Sequence, residues 1–449
     1  MGKQIRTKKG LNIPLIGTAE KNIQETELTK FYAVKPPDFF HFIPKIVAKP
    51  ETKVKAGDVL FYNKFSPDIT VTAPVSGTVK EVLRGEKRKI LEVIIEADST
   101  IDYKEFQVPD LTLGSRNDIK KVLMESGCWS YIRQRPYDII AKPDTTPKAI
   151  FISGFDSAPL APNYNFLLKD NFDFFQRGTD VLGKLTDGNV FLGLKANEQS
   201  PLEATTGVEI NYFDGPHPAG NVGVQIHHIS PVNKGEIVWH INPQDVVIIG
   251  KLFAKGVYDA TKIIALVGSE IKSPKYFEVI SGFAVEELLS DQIKNQNVRI
   301  ISGNVLTGTK INRKGFLSFY DNLISVIPEG NYYELFGWAL PGIKKYSPSA
   351  TFFSWLHSKN RKVVLDTNIH GGKRAFVVTG QYEKYLPMDI YPQHLLKAII
   401  VDDIDLMENL GIYEVGLEDF ALLEYTCVSK IDIQETLQKG IELMIKEVG

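Results

Sequence analysis

The stretch ESGCWSYIRQRPYD, residues 125–138, sets two aromatic rings, Trp129 and Tyr131, beside two guanidinium forks, Arg133 and Arg135. Rings give stacking area and guanidinium groups give planar, fixed donors, so such a cluster could sandwich a flat molecule and hydrogen-bond its carbonyls. The alternative is a domain-interface segment whose rings are core and whose arginines pair with carboxylates. His217, in DGPHPAG close to Asp214, could bind a polar ligand group or line an interface. His227 and His228 read as neighbours on a strand, where side chains alternate between faces, so both cannot easily ligate one metal. Packing is the expected role for that pair.

Three familiar chemistries are missing their residues. After the apolar run KAIFISGF a dinucleotide-binding fold needs glycines that let the backbone approach a pyrophosphate. The chain has SGFDSAPLAPNYN there, with one Gly and two Pro; GPHPAGNVG is Gly-rich but reads as loop with no helix after it. TAPVSGTV (72–79) downstream of VKAGDVL (54–60) has the look of a lipoyl or biotinyl carrier module. Its hairpin, YNKFSPD (62–68), has Lys64 as the only lysine, without carrier flanks and with Pro67 restricting the turn. Lys64 is therefore expected to be unmodified. Cys128 and Cys427 are the only cysteines, so no zinc or iron–sulfur set can be built from this chain alone.

These side chains need a scaffold, and the sequence predicts one of mixed type. Residues 45–97 alternate apolar and polar residues between Gly and Pro signals, as β-structure does. SRNDIKKVLMESG predicts a helix capped by Ser115 and stopped at Gly127. From about 148 the order is strand, helix, strand, short helical stretch, strand, which is the rhythm of an α/β layer. Residues 214–232 read as a long shaped loop, and NPQDVVIIGKLFAKG as a helix capped by Asn242. Residues 260–308 suit a small β-grasp module with a helix opened by Ser281. Helices are predicted at roughly 347–358, 391–410, 417–428 and 432–447.

The chain has 449 residues, 43% hydrophobic and 24% charged, with net charge −2, a folded composition with no basic field for nucleic acid. No apolar run reaches the ~18–20 residues that span a bilayer, and no lipidation pattern is present. A cytoplasmic protein is expected, with any membrane contact made through a partner.

Taken together, KKGLNIPLIG (8–17), TAPVSGTV (72–79), RGEKR (84–88), ESGCWSYIRQRP (125–136), FDGPHPAG (213–220), RIISGNVLTGTK (299–310), ISVIPEG (324–330), ELFGWALPG (334–342) and GLEDFALLEYTC (416–427) resemble one family from end to end. It is the A subunit of the bacterial Na+-translocating NADH:quinone oxidoreductase. More distantly the family resembles the membrane-bound electron-transfer subunit of the Rnf type and the flavin-carrying NADH-binding subunit of complex I. Where complex I has a Gly-rich flavin loop, this chain has bulky ESGCWSYIRQRP. Where both relatives cluster cysteines, it has Cys427 alone.

The resemblance implies a lipoyl-like barrel-sandwich hybrid at 1–102 and a Rossmann-like α/β domain without its flavin loop at 103–256. A β-grasp, SLBB-like domain at 257–330 and a mainly helical domain without iron–sulfur cysteines at 331–449 would follow. It implies a peripheral subunit on the cytoplasmic side of the inner membrane, attached through partner subunits and associated with ubiquinone or menaquinone reduction coupled to Na+ export. NADH, flavins and iron–sulfur centres would belong to the other subunits; this chain would bind no cofactor and no metal and be inactive alone. A quinone site needs an apolar wall and one or two donors. Phe39, Phe40, His41 and Phe42 of VKPPDFFHFIPK, with Trp129, Tyr131, Arg133 and Arg135, are the candidates. The same exposed aromatics would suit a structural subunit that never touches quinone.

Overall fold

The computed structural model describes residues 2–337, 339–343, 345–356 and 361–449. Near the N-terminus a four-stranded sheet, ordered Phe31–Val34, Ile90–Ala97, Gly77–Arg84 and Lys53–Val54, faces a three-stranded one, Pro44–Ile46, Val59–Asn63 and Ser66–Thr72. Alternation along these strands sends Leu60, Val71, Val79, Val93 and Ile95 into a shared core and leaves charged residues outside. Lys64 sits exposed in the hairpin between Val59–Asn63 and Ser66–Thr72.

The central layer is a seven-stranded sheet ordered Gln4–Arg6, Glu209–Asp214, Asn189–Lys195, Ala149–Ser153, Val238–Ile241, Arg133–Arg135 and Ile139–Ile140. Its first five strands run parallel, and Arg133–Arg135 turns antiparallel against Val238–Ile241. Helices Phe172–Gly183 and Pro243–Lys255 pack on one face. They touch through glycine: a Cβ on Gly178 would lie 2.1 Å from the Val246 carbonyl, and one on Gly250 1.8 Å from that of Phe174. The second helix is capped as expected, with Asn242 Oδ1 accepting from the Gln244 N–H at 3.0 Å. Ser115 caps Arg116–Glu125 with a reciprocal capping box to Asp118, an arrangement worth about 1 kcal/mol.

A six-stranded mixed sheet follows, ordered Thr309–Ile311, Val298–Ser302, Leu323–Pro328, Thr261–Val267, Lys275–Ile280 and Glu20–Glu25. Residues from the first 25 positions thus pair into both the central and the third sheet, away from the N-terminal strands that follow them. Helices Pro392–Ile400, Ile404–Asn409, Leu417–Tyr425 and Ile433–Glu447 form the C-terminal unit around Leu395, Phe420, Leu437 and Ile441.

Several expectations need correction. Residues 214–232 are not all loop: Val222–Ile229 is a helix, so His227 and His228 do not lie on a strand. Its Gly and β-branched residues are weak helix formers, and tertiary packing overrides them. Val224 and Ile226 are fully buried, and Gln225 Nε2 donates to Ser153 Oγ at 2.7 Å. Ser281 opens no helix; Gly282 turns there at φ +76°, and helix is confined to Glu286–Leu289. The helix expected over 391–410 is broken at Asp402, with φ +56°, and Asp403 caps a second one. Of 347–358, only Phe353–Leu356 forms a 3-10 turn, with no residue buried, and 357–358 lie outside the described residues. Without a face to bury, so short a helix has nothing to offset its nucleation cost.

Candidate functional site

In the central sheet the chain runs outward from Ala149–Ser153 to Asn189–Lys195 and Glu209–Asp214. It then returns to lay Val238–Ile241 on the other side of the starting strand. Parallel sheets open a crevice at such a reversal, outside the carboxyl ends of the two strands. A cavity lies there in two adjoining compartments of about 120 and 510 Å³. Arg133, Asp156, Tyr164, Asn242, Asn304 and Glu418 line both.

Each element brings its residue for a local reason. Asp156 follows the first strand and turns back so that its carboxylate accepts from the Ala158 N–H at 2.8 Å. Asn242 caps the helix with its oxygen and spends its amide on the Tyr164 hydroxyl at 2.7 Å. Asn304 and Thr307 come from the turn after Val298–Ser302, and Tyr320 from the loop before Leu323–Pro328. Glu418 arrives from the start of helix Leu417–Tyr425.

Arg133 is the donor on the wall. Its guanidinium lies 4.9 Å from the centre of the Tyr320 ring, donates to Asp138 at 3.2 Å, and keeps 29% of its side chain exposed. Asp138 also accepts from His240 Nε2 at 2.8 Å. To reach both, the chain takes left-handed backbone at Tyr137 (φ +81°) and Asp138 (φ +55°), a strain of roughly 1–3 kcal/mol each without glycine. Burial alone would raise the Asp138 carboxyl, but Arg133 and Arg135 hold it well below the usual carboxylate range. Burial, aided by Arg133, holds His240 below the usual imidazole range.

Three buried carboxyls move the opposite way. Burial pushes Asp156 up to about 6 and Asp245 up to about 7. Asp419 also rises to about 7 through burial, although Arg135 opposes the shift. His217, 2% exposed, lines the smaller compartment. Its Nδ1 shares a hydrogen bond with the Ser157 hydroxyl at 3.0 Å, its Nε2 has no partner among the described residues, and burial lowers it to about 4. The site therefore holds a cation on the wall, an imidazole that burial keeps neutral and, in Asp156, a lining carboxyl raised to about 6; Asp245 and Asp419 do not line it.

The start of a helix can offer backbone amides to an anion, and helix Val222–Ile229 is one such start. Here the Asp419 carboxylate takes that place, so near Gly223 that a Cβ would lie 2.3 Å from Oδ2. Among the described residues no group of three or more His, Cys, Asp or Glu side chains is placed to hold a metal ion. No helix among them is long and apolar enough to cross a membrane.

Of the residues singled out from sequence, Phe40, Arg133 and His217 line the cavity; the others do not. Trp129 is wholly buried, its Nε1 donating to the Ala141 carbonyl at 2.7 Å and its ring edge-on to Trp239. Tyr131 stacks on Phe319 and shares a hydrogen bond with Tyr258 at 2.8 Å. Neither ring has a free face, which corrects the expectation of a stacking platform. Arg135 is fully buried against Glu418 and Asp419. Phe39 is core, packed on Phe319 and Tyr320, while Phe42 half-covers Phe39 and Phe61. His41 is exposed at φ +54°, and its neighbour Phe40 reaches the larger compartment. Asp214 pairs with Arg6 at 3.4 Å, away from the cavity. His227 and His228 hold the C-terminal unit through Glu414 and the Pro387 carbonyl.

Asp138, Asp156, His240, Tyr320 and Glu418 were missed. Asp138 closes the very stretch that carries Arg133, and an arginine pair needing a carboxylate was the signal available. Nothing local marks the other four.

Comparison with known proteins places three family descriptions on the chain. The NqrA N-terminal barrel-sandwich hybrid domain matches residues 5–98, the NqrA second alpha/beta domain 114–258, and the NQRA C-terminal domain 263–313. The A subunit of the Na(+)-translocating NADH-quinone reductase from Yersinia pestis bv. Antiqua is 36% identical over 99% of this chain and 100% of its own length. The proteins of the same name from Photorhabdus laumondii and Neisseria meningitidis serogroup A are 35% and 36% identical, each over 99% of this chain and all of their own length.

Proposed function

Because the chain belongs to the NqrA family, which supplies the A subunit of Na(+)-translocating NADH-quinone reductases, we propose that it serves that complex at quinone reduction, receiving the quinone ring in the cavity beside Arg133. In this reading it is a peripheral subunit on the cytoplasmic side, held by partner subunits and carrying no redox cofactor of its own. NADH, flavins, iron–sulfur centres and the sodium path belong to the partners. The central layer is then a Rossmann-like domain and the C-terminal unit a helical domain closing over its crevice.

The observation that carries the reading is the position of Arg133. It is the one guanidinium of the ESGCWSYIRQRP stretch that lines the crevice, beside the Tyr320 ring. A quinone takes up two electrons and two protons to become the quinol. The electrons come from partner subunits. Arg133 donates to a quinone oxygen and steadies the negative charge that gathers there. Asp156, poised at about 6 on the same wall, is placed to exchange a proton with the reduced ring. Asp419 crowds the start of helix Val222–Ile229, so a phosphate at that helix end would meet a carboxyl, which favours a ligand without phosphate. A purely structural subunit is the competing reading, favoured by the burial of Trp129 and Tyr131.

Arg133→Leu in the purified complex separates the two. A charge-assisted hydrogen bond contributes roughly 1.5–3 kcal/mol, so a short-chain quinone should bind about 10- to 150-fold more weakly. Unchanged quinone titration with looser assembly of the complex would instead favour the structural role.

A further inference from the structure

The turn between Val298–Ser302 and Thr309–Ile311 separates two unlike compartments. On one side Asn304 and Thr307 face the polar cavity; on the other Val305 and Gly308 line a second cavity of about 250 Å³. Leu306 lines both. The second cavity is walled by Ile13, Leu15, Ile301, Ile327, Leu365 and the Tyr425 ring. Its charged lining residues are already engaged: Arg299 and Lys310 share the Glu329 carboxylate at 2.6 and 2.9 Å, and Asp366 accepts from the Tyr332 hydroxyl at 2.7 Å. A wall mostly of aliphatic side chains, whose lining cations already share a carboxylate, suits hydrocarbon better than the polar cavity does.

Resting on the ring placement argued above, we propose that this second cavity binds the apolar chain of the quinone, the prenyl stretch next to the ring, with Leu306 as the threshold between ring and chain. A membrane quinone is a small ring with two carbonyls and a long hydrocarbon substituent, so one molecule needs a polar and an apolar compartment side by side. The first cavity is lined by Asp38, Asp138, Asp156, Asp321 and Glu418, and desolvating such groups against a hydrocarbon chain is unfavourable. The apolar cavity across the turn removes that conflict. The specificity it confers is for chain-bearing quinones over the bare ring.

The test uses the purified complex and two ligands with the same ring, one with no side chain and one with a prenyl chain of several units. Val305→Phe and Leu365→Trp add bulk at partly exposed wall positions, where the fold can absorb it. With unchanged melting temperature, either variant should weaken the chain-bearing quinone on the order of tenfold, since a few methylene groups lose their burial, and leave the bare ring unaffected. Equal weakening of both ligands, or of neither, overturns the proposal. So does a prenyl alcohol, lacking the ring, that binds as tightly as the chain-bearing quinone, since the cavity would then be a general lipid site. The ring placement fails separately, through Arg133→Leu, because that variant should weaken both ligands alike.

Discussion

Arg135 and Asp419 stand 3.5 Å apart with no exposed surface on either side chain, although they lie far apart along the chain. The first is the last residue of strand Arg133–Arg135 and the second lies in the first turn of helix Leu417–Tyr425. Asp419 also accepts from the Gly416 N–H at 2.9 Å. The pair fastens the C-terminal helices to the central sheet and so holds Glu418 at the cavity.

Removing one partner of a buried ion pair leaves the other uncompensated, at a cost of about 3–5 kcal/mol. Arg135→Leu should lose that much in urea unfolding. Amide exchange should rise first in Leu417–Tyr425. A variant as stable as the parent would mean the pair carries no net stability.

Gly416 and Gly183 make a matched comparison. A Cβ at 416 would lie 1.8 Å from Arg135 Nη1, whereas one at 183 would meet nothing within 4 Å. Gly416→Ala should destabilise by about 1–3 kcal/mol through overpacking. Gly183→Ala, in the last turn of its helix, should be neutral or gain up to about 1 kcal/mol. Thermal melts of the two variants side by side decide it.

Stability should depend on pH with a sign set by buried carboxyls. Burial raises Asp245 from its ordinary 3.8 to about 7, so between those values the folded chain binds more protons than the unfolded one. Stability therefore falls as pH rises through that window. His217, lowered from 6.5 to about 4, acts oppositely, but only below pH 6.5. Asp245→Asn should thus melt higher than the parent at pH 8, with a gap that narrows towards pH 6.5. A gap independent of pH would show that Asp245 does not titrate in this range.

Both thiols should be silent in the folded chain. Cys128 has no exposed surface, and burial pushes its thiol up to about 12; Cys427 is buried against the Tyr382 hydroxyl at 2.9 Å. Thiolate is the reactive form, so a disulfide reagent should find neither until denaturant is added, then both. Fast labelling of the native protein would contradict this placement.

Features that depend on near neighbours were legible beforehand. The Ser115 and Asn242 caps, the β-rich stretch at 45–97 and the strand–helix alternation after 148 follow from side chains a few residues apart. End-to-end family likeness was readable too, because it rests on many short motifs. Spacing could not show that Trp129 and Tyr131 turn into the core while Arg133 faces the crevice. Nor could it show that Val222–Ile229 is a helix, since only the cover from Ser153 and the C-terminal unit makes that weak helix former stable.

By itself, then, the sequence determined the kinds of layer, their order along the chain, and the arginine-rich stretch that had to find carboxylates. Only the tertiary structure decided which carboxylates those were: Asp138 nearby, and Glu418 and Asp419 from the C-terminal helices. It also decided that His240 and Tyr320 would share the crevice with Arg133. Local propensity acts over a turn or a pleat, whereas the pairing and desolvation of a buried charge depend on whatever the fold brings within a few ångströms, however distant along the chain.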